Sequence, residues 1–183
     1  MNRVIVTMMM CLLAETAFAQ APKEAPKPAP SVSAVPERTT ASFGDWVLRC
    51  EAPLPPAKKI CEVAQAMTAQ GQAAPLAQIA FGRAKAGDPM RLTLVLPTNV
   101  ALATKPKILG EKDDAAAIEL IWERCLPGGC VAASNVVDSA VTRLSKYADP
   151  GSITYKDAAE RDIALPLSFR GLSQALAAFG KES

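Results

Sequence analysis

The stretch Met90-Arg91-Leu92-Thr93-Leu94-Val95-Leu96 determines the fold class of this 183-residue chain. Its leucines alternate with Arg91, Thr93 and Val95, and a period of two is typical of a β-strand that buries one face. Further short apolar runs, most of them alternating, are also predicted as strands. They are Trp46–Cys50, Ile60–Met67, Leu76–Arg83, Ile118–Glu123, Ile153–Tyr155 and Ile163–Phe169.

Two segments have helical spacing instead. The first carries apolar residues at Val136, Val137, Ala140, Val141 and Leu144. The second carries them at Leu172, Ala175, Leu176 and Phe179. Gly180 is the expected C-terminal cap of the second helix, and Pro166 belongs on an edge strand or at a bulge. Many short strands with few helices predict a mainly β fold, an antiparallel β-sandwich or barrel-like domain with two short helices.

The residues before this domain are organised differently. Residues 1–19 combine Arg3, an apolar run and the small-x-small sequence Ala17-Phe18-Ala19, which predicts a signal peptide cleaved after Ala19. Residues 20–41 hold five prolines and are predicted to form an extended linker, so residues 42–183 form the predicted β domain. The apolar run is shorter than the roughly 20 residues of a membrane span. We therefore expect a periplasmic or secreted protein with no transmembrane segment after signal cleavage.

Four cysteines remain after the predicted cleavage, namely Cys50, Cys61, Cys125 and Cys130. An even number in an exported chain predicts disulfides, and proximity in sequence favours Cys50–Cys61 and Cys125–Cys130. A four-cysteine zinc site is the alternative, but the ten residues between Cys50 and Cys61 are a wide gap for it. Redox activity would favour a Cys-x-x-Cys motif, which the sequence lacks. We therefore predict structural disulfides and no bound metal.

The composition excludes several classes of activity. The chain has no histidine, so Ser-His-Asp and Cys-His catalysis and histidine-ligated zinc or haem are excluded. A net charge of +2 and 5% aromatic residues also argue against nucleic-acid binding. An enzyme would need a Ser–Lys pair or two carboxylates, and Asp45, Glu119 and Glu123 are the candidates, the last two on one face of a predicted strand. We expect no catalytic residues and no cofactor.

Several motifs resemble those of one bacterial family. Phe43-Gly44-Asp45-Trp46, followed by Cys50, resembles the opening of the invasion-associated locus B family. Cys61 with Gln65 after it, and the run Cys125-Leu126-Pro127-Gly128-Gly129-Cys130-Val131-Ala132, are similar to its later cysteine elements. Leu167-Ser168-Phe169-Arg170-Gly171-Leu172 is similar to its closing Ser-Leu-x-Gly-Phe segment, with Phe and Leu where Leu and Phe are usual. The resemblance covers nearly all of residues 42–179.

This resemblance implies an exported bacterial protein, associated with the envelope or secreted, in a family with no established catalytic residues. The predicted function is that of a non-enzymatic binding or envelope protein, with a protein or envelope component as partner and a role in host-cell interaction or in the envelope. Trp46 is the aromatic residue considered for a binding surface, and its alternative role is packing in the core. The alternative function is a periplasmic carrier that holds a small ligand inside the sandwich.

Overall fold

The computed structural model describes residues 38–182, except 53–57, 69–70, 72–74, 86, 111–115 and 149. The predicted signal peptide and residues 20–37 of the predicted linker lie outside the described residues. The strands are β1 (Arg38–Phe43), β2 (Trp46–Glu51), β3 (Ile60–Met67), β4 (Ala77–Gly82), β5 (Met90–Leu96), β6 (Lys107–Leu109), β7 (Ile118–Glu119), β8 (Ile121–Leu126), β9 (Gly129–Val136), β10 (Gly151–Lys156) and β11 (Asp162–Leu167). The helices are α1 (Asp138–Leu144) and α2 (Leu172–Glu182), and neither is long and apolar enough to cross a membrane.

These strands form two antiparallel sheets. The larger sheet has the order β1-β2-β3-β4-β5-β9-β8, and the smaller has the order β11-β10-β6-β7. Most neighbours in the larger sheet are consecutive in the chain, as expected of antiparallel strands joined by hairpins. Two of these turns have only two residues, Gly44-Asp45 between β1 and β2 and Pro127-Gly128 between β8 and β9. Gly44 has a φ of +58°, which glycine adopts without strain.

One core lies under both sheets. The predicted strand Met90–Leu96 is β5, and its four apolar residues at alternate positions are buried. Leu94 of this strand belongs to the same buried cluster as Ile153 of the smaller sheet and Phe179 of α2. The predicted mainly β, antiparallel fold with two helices is thus confirmed, as two separate sheets rather than a closed barrel. Pro166 lies in β11, an edge strand, as predicted.

The domain begins earlier than the sequence predicts. Residues 38–41 belong to the predicted linker, yet they form most of β1 and pair with β2 from Arg38↔Glu51 onward. Thr39 and Thr40 suit an extended strand, whereas the prolines before them favour a linker. The predicted linker 20–41 therefore runs four residues into the domain.

Two further predictions are wrong in detail. The predicted strand Ile118–Glu123 is divided, because the chain passes from the smaller sheet to the larger at buried Leu120, whose N–H bonds to the Pro106 carbonyl. Gly180 does not cap α2, which continues to Glu182. A glycine cap needs a positive φ, and Gly180 is not among the glycines that have one.

Candidate functional site

The larger sheet has a second face, opposite the core, which we call the outer face. Among its side chains are two rows that run across the strands in register. The charged row contains Thr40, Arg49, Glu62, Gly82, Arg91 and Asn135. The small row contains Val47, Ala64, Ala80, Thr93, Ala133 and Ile121. The outer face therefore places a strip of small side chains beside a strip of charges.

A groove of about 350 Å³ opens in the outer face over β4. Gly82 contributes no side chain to the charged row and Ala80 contributes only a methyl group to the small row, so the surface is low along this strand. Glu62 of β3 stands on one side and Arg91 of β5 on the other. The groove thus has an apolar floor between charged walls.

Ion pairs fix the charges around this groove. Arg49 Nε donates to Glu62 Oε1, and Arg91 Nη2 donates to Glu123 Oε1 on β8. All four side chains keep between a third and a half of their surface exposed. Exposed pairs of this kind contribute about 0–1 kcal/mol to folding. Their main effect is therefore to hold guanidinium and carboxylate groups at the rim, where both retain free hydrogen-bonding positions.

Trp46, considered above as part of a binding surface, is buried, so that prediction is wrong. Its side chain is 0% exposed and faces the core from β2. The indole ring lies 5.7 Å from the ring of Phe81, and its Nε1 donates a hydrogen bond to the Ser168 carbonyl at 2.9 Å. A buried indole N–H needs such a partner. Trp46 therefore packs in the core, which was its alternative role.

The opening and closing motifs of the domain contact each other through Ser168. The Ser168 carbonyl accepts hydrogen bonds from Trp46 Nε1 and from buried Gln65 Nε2, the latter at 3.0 Å. The Ser168 N–H returns a bond to Gln65 Oε1 at 3.2 Å, and its hydroxyl donates to Asp45 Oδ2 at 2.6 Å. We call Asp45, Trp46, Gln65, Ser168 and Arg170 the clamp. It joins the first hairpin of the domain to the segment that leads into α2.

Arg170 closes the clamp over Asp45. Its Nε and Nη2 donate to the two carboxylate oxygens of Asp45 at 3.1 and 2.5 Å, and its carbonyl accepts the Asp45 N–H at 3.1 Å. The hydrogen bonds from Arg170, and then from Ser168, lower the pKa of Asp45. Gly171 has a φ of +89°, and a Cβ there would lie 2.0 Å from the Phe43 carbonyl oxygen. The closing motif therefore needs glycine at this position.

The candidate catalytic carboxylates are not brought together. Glu119 lies in the smaller sheet with Lys107 and Lys105 at 3.3 and 3.5 Å, and hydrogen bonds from Lys107 and then Lys105 lower its pKa. Glu123 lies in the larger sheet, because the chain changes sheets between the two, so they do not share a face. Asp45 belongs to the clamp. A general acid at neutral pH needs a raised carboxyl pKa, whereas Asp45 and Glu119 have lowered ones.

The four cysteines pair directly across neighbouring strands. Cys50 lies opposite Cys61 in β2 and β3, with an S–S distance of 2.10 Å, and Cys125 lies opposite Cys130 in β8 and β9 at 1.95 Å. These are the pairs predicted from sequence. The Glu182 carboxylate lies within 4.8 Å of the first pair, a spacing that would suit a metal ion. Zinc binds cysteine as thiolate, however, and these two sulfurs are bonded to each other.

The outer-face residues were not singled out from the sequence. Arg49, Glu62 and Arg91 occupy the polar positions of predicted strands, where charged side chains are ordinarily solvated. Gly82 is the residue that could have indicated the groove from sequence, because a glycine inside a strand weakens the strand and often marks a close approach by another group. Its place between Glu62 and Arg91 depends on strand register, which the sequence does not display.

The fold and site together define a class: a disulfide-linked, antiparallel β domain with one buried sheet face, one open sheet face and a C-terminal helix clamped to the first hairpin. Residues 46–180 match the family model described as "Invasion associated locus B (IalB) protein", and the chain belongs to this family. The family suggested by its motifs is thus confirmed.

A solved structure supports the same fold. The crystal structure of invasion associated protein B from Bartonella henselae is similar to this chain with a TM-score of 0.67 and 18% sequence identity. The match covers 78% of this chain and 95% of that chain. At this identity the likeness shows a shared fold. No curated protein matches the sequence.

Proposed function

We propose that this protein is an exported, non-enzymatic binding protein of the bacterial envelope that engages a protein partner through its outer face. The observation that carries the proposal is the groove over β4, where Ala80 and Gly82 form an apolar floor between ion-paired side chains. Glycine inside a strand often marks a site where a ligand or another backbone approaches closely. A gap with charged walls is suited to receive a side chain of another molecule.

The charges of the outer face indicate what the partner presents. Four arginines face three glutamates: Arg38, Arg49, Arg91 and Arg124 against Glu51, Glu62 and Glu123. Arginine is enriched at protein interfaces, and charges at a rim set orientation and association rate more than affinity. A polypeptide segment with one apolar side chain and a neighbouring carboxylate matches this surface. The apolar side chain would enter the groove, and the carboxylate would accept free guanidinium N–H groups.

Export to the periplasm or the medium is part of the proposal. It is supported by the order of residues 1–19, by the two paired disulfides and by the family, because disulfides persist in oxidising compartments. The name of the Bartonella henselae protein, invasion associated protein B, favours a role in host-cell interaction. A role within the envelope of the producing cell is the second candidate function for the same surface.

Carriage of a small ligand between the sheets has less support. The side chains that meet there, such as Leu92 and Leu94 of the larger sheet and Ile108 of the smaller, are fully buried and belong to one packed cluster. The groove over β4 lies on the opposite face. Ligand contact is therefore proposed on the surface rather than in the interior.

Site-specific photo-crosslinking in intact cells tests the proposal. A photoreactive residue at Thr93, which lines the groove, is compared with one at Leu102, which is 56% exposed but lies outside the larger sheet. Both proteins are expressed from the full-length gene in the bacterium that encodes them. We expect a discrete protein adduct from Thr93 that is absent from Leu102.

Two results would count against the proposal. Adducts of equal yield and size from Thr93 and Leu102 would show that contact is not confined to the outer face. A small metabolite that co-purifies with the protein, without any protein adduct, would favour the carrier function instead.

A further inference from the structure

A second groove, of about 240 Å³, lies at the end of the sheet near the Cys50–Cys61 disulfide. It is formed where β3 begins, where β4 ends and where α2 ends. Its charged lining residues are four cations, Lys58, Lys59, Arg83 and Lys85, and one carboxylate, Glu182. We call it the cationic groove.

Arg83 is a fixed cation in this groove. Its Nε donates to the Asp88 carbonyl at 2.9 Å, and its Nη2 donates to Asp138 Oδ1 at 3.0 Å. The guanidinium carbon also lies 5.9 Å from the centre of the Phe179 ring, within the range of a cation–π contact. The side chain is only 22% exposed. Arg83 therefore holds its charge in one place with little entropy left to lose on binding.

The lysines of the groove carry surplus charge. Lys59 Nζ pairs with Glu182. Among the residues that the structure describes, the ammonium groups of Lys58 and Lys85 have no carboxylate partner within salt-bridge distance. Both residues are exposed, so each ammonium group can turn toward a ligand. The groove thus has a positive charge that the protein itself does not balance.

Other lysines of the domain are balanced differently. Lys105 and Lys107 line a groove on the smaller sheet, where both pair with Glu119. Lys156 in the same groove pairs with Asp162 at 3.0 Å. Lys146 and Lys181 also have no carboxylate partner among the described residues, but they do not line this groove. The cationic groove is thus a place where two such lysines lie together beside Arg83.

We propose that the cationic groove binds the phosphate group of a phosphate-bearing ligand. A phosphate monoester carries about −1.5 to −2 charges at pH 7 and three strong acceptor oxygens, which matches several converging cations better than one carboxylate does. Lysine binds phosphate as a mobile point charge, and Arg83 supplies fixed donors beside it. The groove has room for the phosphate and a small substituent. Cys61, Arg83 and Ala84 line both this groove and the groove over β4. Lys58 and Lys85 line only the cationic groove, so variants of these two lysines test this proposal independently of the other.

Titration with inorganic phosphate and glycerol phosphate, followed by amide NMR shifts, tests the site directly. The protein is expressed from the full-length gene and purified under oxidising conditions. We expect saturable shifts at Lys58, Ala84 and Lys85, and binding about tenfold weaker in the double variant Lys58→Gln with Lys85→Gln. The double variant Lys105→Gln with Lys107→Gln makes the same change in net charge elsewhere, and should bind like the parent.

Vesicle sedimentation distinguishes the two sources of phosphate. Binding to phosphatidylglycerol vesicles, but not to phosphatidylcholine vesicles, with loss only in the Lys58/Lys85 variant, assigns the groove to an anionic lipid headgroup. Phosphate binding without vesicle binding assigns it to a soluble phosphate-bearing molecule. The proposal is overturned if neither phosphate probe gives saturable shifts at the groove. It is also overturned if the two double variants lose affinity equally, which would show charge attraction without a site.

Discussion

Trp46 Nε1 donates a hydrogen bond to the Ser168 carbonyl at 2.9 Å, across 122 residues of sequence. The contact joins the Phe-Gly-Asp-Trp opening of the domain to its closing segment, and Gln65 from the second cysteine element completes it. These motifs of the family resemblance thus meet at one structural clamp. The residues of these motifs therefore serve the fold of the domain. The outer face of the larger sheet remains the candidate surface for binding a partner.

Replacing Trp46 tests the clamp. Trp46→Phe removes one donor from the Ser168 carbonyl and leaves a small gap in the core, so we expect a loss of about 1–3 kcal/mol in the free energy of unfolding. Trp122→Phe is the matched control, because its Nε1 also bonds to a carbonyl, that of Thr104 at 2.9 Å, but its side chain is only half-buried. Urea denaturation followed by circular dichroism measures both. Equal losses in the free energy of unfolding would show that the Trp46–Ser168 contact stabilises the fold no more than the Trp122–Thr104 contact does.

Two glycine variants distinguish a glycine that the backbone conformation requires from a glycine that only shapes the surface of the groove. Gly171→Ala places a Cβ against the Phe43 carbonyl at a positive φ, and we expect it to cost about 2 kcal/mol or more. Gly82→Ala puts its Cβ 3.4 Å from the Cys61 carbonyl, an ordinary contact, and should change stability by less than about 1 kcal/mol. Melting temperatures of the two variants provide the comparison. A Gly171→Ala protein as stable as the parent would refute the assigned role of that glycine.

The lowered pKa values of Asp45 and Asp157 predict acid sensitivity. Asp157 accepts hydrogen bonds from Arg161 Nε and from the N–H groups of Arg161 and Ala159, and Arg161 makes the largest contribution to its lowered pKa. A carboxylate whose folded pKa lies below the unfolded value near 3.8 favours folding above that value. This contribution is lost as the pH falls through the folded pKa.

Melting curves across the acid range test this dependence. We expect the melting-temperature difference between the parent and Asp45→Asn, or Asp157→Asn, to be largest at neutral pH and to shrink below about pH 4. Asp162, whose side chain is 88% exposed, provides the control variant Asp162→Asn. Its melting temperature should equal that of the parent at every pH. A difference that stays constant with pH would show that the carboxylate charges do not stabilise the fold.

Removing the disulfides should destabilise the domain without unfolding it. The loops close over 11 and 5 residues, for which the chain-entropy model gives about 3 and about 2 kcal/mol. We therefore expect Cys50→Ser with Cys61→Ser to lower the melting temperature more than Cys125→Ser with Cys130→Ser. Both double variants should retain a β-rich circular dichroism spectrum, because the shared core lies under both sheets. A variant that is unfolded at room temperature would show that the core alone is insufficient.

The two disulfides should also differ in their reactivity toward reductant. Cys50 and Cys61 are both buried, whereas Cys125 is exposed on edge strand β8. Thiol–disulfide exchange requires access to a sulfur atom. We expect timed alkylation and mass spectrometry to find Cys125–Cys130 reduced first. The reverse order would mean that local opening, rather than exposure in the folded state, controls reduction.

The sequence predicted the elements whose pattern is local. Met90–Leu96 alternates strictly and forms β5 with those bounds. By contrast, the sequence does not predict β9, because Val131 and Val136 are its only β-branched residues and the positions between them hold alanines, Ser134 and Asn135. The sequence leaves Trp46 open between the surface and the core, because its partner Ser168 is distant in the chain. The groove over β4 requires four strands in register, information that no single segment contains.

The most direct test of recognition at the outer face is the adduct yield from Thr93 in two matched valine variants. Gly82→Val fills the groove, whereas Ala66→Val adds a valine to an exposed position of the same face outside it. With melting temperatures near that of the parent, we predict an adduct yield about tenfold lower in Gly82→Val and unchanged in Ala66→Val. Equal yields from the parent and both variants would contradict binding through the groove.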